Sequence, residues 1–249
     1  MVNILSDIRI RMSLNKVANV ALIAMIIIIS IAYCKKSKYD VIYVKSQIND
    51  KEYLVRNLPD KQHAADMLAK LSIELTKLVD YFSDLEKKNK LNKIYNKYIK
   101  DTDKDTDKDT DKDTDKDTYT KEVIKFKEDV ARLISNYNPD RMIESTPDAE
   151  YTSYSVNKGE QIYFCLRAKS EDETKNERLA KHNIMMFVAL HEMSHLMTKS
   201  VGHEQEFWDN FKILLKIAIK IGIYQHVDFN RQPVDYCGTK ITDTPHKPK

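Results

Sequence analysis

The sequence predicts a protein of the α+β class, and three observations carry that expectation. Long stretches with apolar residues at three-to-four spacing read as amphipathic helices. Two pairs of short β-branched and aromatic runs, each pair flanking turn residues, read as hairpins. An apolar run from Asn183 to Leu190 leads directly into His191-Glu192-Met193-Ser194-His195, as expected of a buried helix that carries a site into the interior.

With 249 residues, of which 42% are hydrophobic and 32% charged, the chain can hold one fair-sized core with extensions. Its net charge of +3 is small, and no concentrated basic patch accompanies it, which argues against a nucleic-acid partner. Cys34, Cys165 and Cys237 are odd in number, widely spaced and without a C-x-x-C pair. Neither a disulfide framework nor a zinc ribbon is therefore expected, and no spacing supports a Cys165–Cys237 bridge.

Taken in order, residues 1–16 form an N-terminal tail and residues 17–34 an uncharged apolar stretch. Val17 to Tyr33 would span about 25 Å as a helix, slightly short of a hydrocarbon core of about 30 Å, with Tyr33 and Lys35 placed to anchor it. No A-x-A-like cleavage site follows, so the expectation is a single-pass transmembrane anchor rather than a signal peptide. Lysines after the span outnumber the basic residues before it, which places the C-terminal part on the cytoplasmic side.

Residues 35–88 should hold a hairpin, Asp40–Lys45 with Glu52–Arg56 about the turn Ile48-Asn49-Asp50-Lys51, and then a long helix from Asn57 to Leu85. Pro59 suits the first turn of that helix, and Ala64, Leu68, Leu71, Leu75, Leu78 and Phe82 form its core stripe. Residues 89–120 read as a lysine-rich linker containing the tandem Asp-Thr-Asp-Lys repeat of Asp101–Thr118. The repeat has no apolar residue to offset the entropy of ordering, so it reads as a solvated insertion. Residues 121–249 are the expected core around the motif. They comprise a helix over Lys121–Tyr137, a hairpin of Tyr151–Val156 and Gln161–Arg167 about Asn157-Lys158-Gly159, and a polar loop over Lys169–His182. The motif helix follows over about Asn183–Lys199, then a helix over Glu204–Ile221 and an irregular end.

The chemistry concentrates on the motif helix. Residues four apart share a helical face, so His191 and His195 can present two imidazole nitrogens to one ion. Glu192 is rotated by about a third of a turn from His191, close enough to take a proton from water activated by that ion without ligating it. A catalytic zinc site needs three protein ligands and one open position. Gly202 breaks the chain after the helix, and His203 follows immediately where it turns back, completing a three-histidine set for Zn2+ with Glu192 as general base.

His191-Glu192-x-x-His195, then Gly202-His203 and Phe207-Trp208, resemble the WLM and SprT-like zinc metallopeptidases. Tyr53-Leu54-Val55-Arg56, Leu58-Pro59-Asp60-Lys61-Gln62, Tyr151-Thr152-Ser153-Tyr154, Glu206-Phe207-Trp208-Asp209-Asn210-Phe211 and Tyr236-Cys237-Gly238 resemble a membrane-anchored, WLM-like family of large nucleocytoplasmic DNA viruses. The likeness runs from Glu52 to about Pro245, apart from the repeat. It implies a zincin-like core, with the active-site helix on a small sheet whose edge strand binds extended peptide. It makes His191, His195 and His203 the ligands and Glu192 the acid/base. The chain departs from the WLM pattern in a longer gap between His195 and His203, and it lacks the cysteine-based zinc module that many SprT-like proteins append.

Two functions fit this reading. One is a membrane-anchored zinc endopeptidase acting on a peptide or protein substrate, at a host or virion membrane. The other is a viral membrane or virion structural protein whose zinc site is closed by a fourth protein ligand, for which His182, His226, His246 and the cysteines are candidates. Tyr154, Tyr224 and Tyr236 are candidate oxyanion partners, and nothing in their spacing chooses among them. The sequence sets no oligomeric state.

Overall fold

The computed structural model describes residues 20, 22–26, 39–98, 112–167 and 179–246. Two compact units divide the chain, residues 1–38 and residues 39–249. The expected membrane anchor is overturned: among the described residues no helix is long and apolar enough to cross a membrane. A crossing needs about 20 consecutive helical residues, and of the stretch over 17–34 only Val20 and residues 22–26 are described, as helix with exposed side chains. The rest of it lies outside the described residues. The expected single-pass topology, and the cytoplasmic-facing placement of the C-terminal part built on it, fall with the anchor.

The second unit is a mixed α/β structure of seven strands and five helices among the described residues. Strands β1 (Val41–Lys45) and β2 (Glu52–Arg56) form the expected hairpin, with Val41 opposite Arg56 and Lys45 opposite Glu52. Helix α1 (Lys61–Lys87) follows, and its inward stripe of Ala64, Leu68, Leu71, Leu75, Leu78 and Phe82 is completely buried. Asp60 is its N-cap residue, so Pro59 precedes the helix instead of occupying its first turn. Asn89 adopts φ 52° and ends the helix, with the amide of Lys90 returning to the Leu85 carbonyl at 2.8 Å. That left-handed closure is a common helix stop.

One element lies inside the expected linker and a second begins there. Helix α2 (Leu91–Tyr98) buries Leu91, Ile94 and Tyr95, a three-to-four spacing in a lysine-rich context. Helix α3 (Lys112–Asn136) begins within the aspartate-threonine repeat, several residues before its first apolar position; the earlier part of the repeat lies outside the described residues. Residues 168–178, within the expected polar loop, also lie outside them.

Strands β3 (Met142–Glu144), β4 (Tyr154–Val156) and β5 (Gln161–Phe164) complete a five-stranded sheet of order β1-β2-β3-β5-β4. β3 runs parallel to both β2 and β5, while β4 returns antiparallel to β5 and forms an edge. Helix α4 (His182–Met197) touches β4 and is flanked by α1, α3 and helix α5 (Gln205–Lys220). Enclosed in this way, α4 is apolar nearly all round, the pattern of a buried helix. Met185, Met186, Ala189, Leu190, Met193, Leu196 and Met197 have no exposed surface.

The C-terminal end is a hairpin, β6 (Val234–Tyr236) with β7 (Thr239–Ile241), where an irregular segment was expected. Its turn carries Cys237, which forms a disulfide with Cys165 just beyond β5. The sequence left this bridge possible but without support from spacing, and the structure forms it. It joins residues 72 positions apart through tertiary packing, so no local spacing announces it.

Candidate metal centre

The α4 backbone places His191 and His195 one turn apart, with ring centroids separated by 5.1 Å. The helix stops at Met197, and the loop to α5 brings His203 back over it, 4.9 Å from each of the other two rings. Ligand atoms of all three histidines lie within 4.8 Å of one another, and the Nε2 atoms of His191 and His203 are 3.0 Å apart. Zinc bound tetrahedrally at about 2.0 to 2.1 Å from each nitrogen separates its ligand atoms by about 3.3 Å. The donor set therefore fits that ion in chemistry and spacing.

Phe207, in the first turn of α5 and completely buried, floors the cluster, with its ring 4.8, 4.5 and 4.5 Å from those of His191, His195 and His203. Burial pushes His191 down to about 3, reinforced by His195 and His203, and His195 down to about 4, reinforced by His203 and Lys158; burial lowers His203 too. All three imidazoles are thus neutral at neutral pH, the form that ligates metal.

Glu192 is only 3% exposed and, among the described residues, its Oε2 has no hydrogen-bond partner. Burial pushes its carboxyl up to about 8, opposed by the backbone N–H of Ser155 on β4. An uncompensated buried carboxylate is costly, and a dication at the adjacent histidines would restore its charged form.

Polar groups from three elements hold the end of α4 and the loop to His203. Lys158 Nζ donates to the carbonyls of His195, Thr198 and Ser200 at 3.2, 2.8 and 2.6 Å. From α3, Asn136 donates to the Leu196 carbonyl at 3.0 Å and Arg132 Nε to that of Met197 at 3.1 Å. On α5, Asn210 donates to the Thr198 hydroxyl at 3.1 Å, and the Glu206 carboxylate accepts the amides of Lys199 and Ser200 at 3.4 and 3.3 Å. The last carbonyls of a helix need partners from outside it, and a cation there also opposes the helix dipole.

Lys158 reaches this position because Asn157, Lys158 and Gly159 all have positive φ. At Gly159 only glycine fits, since a Cβ would collide with the Asn136 carbonyl oxygen. Sequence reading places the turn correctly but misses the role of Lys158, for no periodicity links a hairpin turn to a helix end far along the chain. Phe207 reads as one of an apolar face, with no local sign that it packs on three imidazoles.

Of the candidate tyrosines, Tyr154 borders the cavity that holds the three histidines, and its ring stacks on Tyr163 at 4.7 Å. Tyr236 borders a second cavity with His191 and Glu192, but its hydroxyl donates to the Cys165 carbonyl and lies 2.8 Å from the Ser153 hydroxyl. Tyr224 packs against Phe187, 6.1 Å between centroids, and lines neither cavity. The candidate fourth ligands have other partners. His182 contacts Glu74 at 2.6 Å, His226 and His246 face each other at 5.4 Å, and Cys165 and Cys237 are joined; Cys34 lies outside the described residues.

No protein-family model matches the chain, and no solved structure matches it. Over 232 residues it is 32% identical to uncharacterized protein R325 of Acanthamoeba polyphaga mimivirus, covering 93% of this chain and 98% of that one. Over 72 residues, 29% of this chain, it is 35% identical to uncharacterized protein 136R of Invertebrate iridescent virus 6 and to uncharacterized protein 042R of Invertebrate iridescent virus 3. Those stretches cover 38% and 42% of the two iridescent-virus proteins. Near-complete coverage by the mimivirus protein decides the relationship: the chain belongs to the family of viral proteins that includes R325.

Proposed function

We propose that the protein is a zinc-dependent endopeptidase, as its resemblance to the WLM and SprT-like metallopeptidases implies. The observation that carries this reading is the juxtaposition of three convergent neutral imidazoles with a buried carboxyl whose Oε2 has no partner among the described residues. A carboxyl retained only for packing would have its oxygens satisfied.

His191, His195 and His203 would hold zinc, which supplies Lewis acidity that brings the pKa of water towards about 7. Glu192 takes one proton from the attacking water as its oxygen bonds to the scissile carbonyl carbon. As the C–N bond breaks, the same carboxyl delivers that proton to the leaving amine, so one water is consumed and the base is regenerated. Ser155 orients the carboxylate through its backbone N–H. Edge strand β4 borders the cavity that holds the three histidines, where extended peptide would pair with it, and Tyr154, which lines the same cavity, would stabilise a developing oxyanion.

The test is zinc content and peptide-library cleavage by the full chain beside Glu192→Gln. Stoichiometric zinc in both forms, with cleavage in the wild type alone, supports the reading. Cleavage retained in full by Glu192→Gln sinks the mechanism, and zinc bound with no cleavage by either form removes the peptidase assignment. The same metal assay checks the third ligand, because His203→Ala should lose zinc.

A further inference from the structure

We propose that the apolar cavity beside Glu192 is a specificity site for one large apolar side chain, aromatic or leucine-like, on the residue flanking the scissile bond. The assignment deepens the endopeptidase reading and rests on it. The cavity has a volume of about 530 Å3, and its walls include Phe187, Val188, Trp208, Phe211, Ile241 and Pro245. That volume lies within the range of about 300 to 1,000 Å3 typical of small-molecule sites. Phe187, Val188 and Phe211 belong to the buried core, so this part of the wall is built before any ligand arrives.

What makes the cavity a substrate site is where it ends. His191, Glu192 and Ser153 line it, and the same three residues line a second cavity of about 600 Å3 that also holds His195, His203, Tyr154 and Lys158. His191 and Glu192 therefore form the boundary between two cavities with different lining residues. A peptide bond laid across that boundary for attack sends one flank along β4, past tyrosines and a lysine, and the other into aromatic and aliphatic walls.

The walls also say what is rejected. The acidic group at the apolar cavity apart from Glu192 is Asp243, and its Oδ1 accepts from the Asn230 side-chain amide at 2.8 Å and the Thr244 amide at 2.7 Å. A charged substrate side chain entering here loses hydration against mainly apolar walls. One side of the cavity is the C-terminal hairpin and the segment after it, from Tyr236 to Pro245. The Cys165–Cys237 disulfide and the Tyr236 hydrogen bond to the Cys165 carbonyl tie that side to the end of β5.

Trp208 borders the cavity and is the single tryptophan of the chain, so its emission reports occupancy. The experiment titrates the zinc-loaded full chain with peptide hydroxamates differing only in one side chain, Ala, Leu, Phe or Asp, next to the metal-binding group. Affinities come from calorimetry and occupancy from Trp208 emission. The Leu and Phe compounds should bind at least about tenfold more tightly than the Ala compound, with Asp weakest, since one methylene in an apolar pocket already discriminates by about tenfold or more. Val188→Phe, which fills the cavity from α4, should collapse the Phe-to-Ala ratio towards one. Thr242→Phe narrows the cavity from an exposed rim position and serves if the buried replacement does not fold.

Equal affinities across the series, no binding by any compound, or a wild-type ratio kept by the folded filled variants overturns the assignment. A peptide library run on the same protein separates the two levels. Apolar ranking of hydroxamates without cleavage leaves the cavity as an apolar side-chain binding site and overturns both the peptidase reading and the specificity role that rests on it. Cleavage without preference at either flanking residue keeps the peptidase reading and overturns the specificity role alone.

Discussion

Glu144 and Glu192 are both buried glutamates, 2% and 3% exposed, at opposite ends of one argument about what a carboxyl is for. Glu144, at the end of β3, accepts Arg167 Nε on one oxygen at 2.8 Å and the Arg56 amide on the other at 2.8 Å, and Arg167 also pairs with Asp60. Burial raises its pKa while Arg167 opposes the rise. Glu192 has the Ser155 amide and an Oε2 without a partner among the described residues. Equal burial with unequal satisfaction separates a carboxylate that fastens β2, β3 and the end of β5 together from one held ready for chemistry.

Replacement by glutamine breaks the comparison most sharply, because it removes charge at nearly constant shape. Glu192→Gln should lower cleavage by at least about 100-fold, within the range for a lost general acid/base, with zinc content and thermal midpoint nearly unchanged. Glu144→Gln should do the opposite. It leaves the Arg167 guanidinium, itself 3% exposed, short of its carboxylate, and should cost about 3 kcal/mol in denaturant unfolding with the zinc affinity of the folded chain unaltered. If Glu144→Gln changed zinc binding, or Glu192→Gln unfolded the chain, the division between the two carboxyls would be wrong.

The difference between these glutamates was only half legible in the sequence. His191, Glu192 and His195 announce themselves because a helix converts a spacing of four into a shared face, and Gly202-His203 follows within one loop. The hairpin of β1 and β2, the hairpin of β4 and β5 and the stripe of α1 are local patterns of the same kind. Glu144 gave no signal, since its partners, Arg56 and Arg167, lie 88 and 23 residues away and meet it only after β2, β3 and β5 are in register. The disulfide, Lys158 at the end of α4 and the apolar cavity against the C-terminal hairpin depend on tertiary assembly in the same way. The expected membrane span shows the reverse error, an apolar composition taken for a long helix that the described residues do not contain.

Lys158 sharpens the comparison from another side, as a charge at the edge of the site whose three bonds go to backbone carbonyls. Lys158→Met removes three hydrogen bonds to carbonyls around the turn between His195 and His203. It should destabilise the chain by about 1 to 3 kcal/mol and weaken zinc binding on the order of tenfold. Lys158→Arg should recover part of the zinc affinity, because a cation at the helix end is kept. Stability lost with zinc affinity unchanged in Lys158→Met would reduce the residue to a helix cap.

The smallest effect concerns a third buried carboxyl, intermediate between the first two. Asp129 on α3 pairs with Arg132, yet burial holds its pKa up at about 6, with Glu206 adding repulsion while Arg132, Lys125 and an Asn210 hydrogen bond oppose it. Between its ordinary value of 3.8 and about 6 the folded chain binds more protons at this group than the unfolded chain does. Its contribution to stability must therefore fall as pH rises through that window. His246, pushed down to about 4 by burial and by His226 and two lysines, works in the opposite sense: unfolded chain takes up its proton first, so stability is lost on acidification below about pH 6.5. Neither slope is readable from one curve, but the wild type minus Asp129→Asn isolates the first. That difference should favour the wild type less at pH 7 than at pH 4.5. A difference constant between those pH values would mean that Arg132 and the neighbouring groups offset the burial of Asp129 in full.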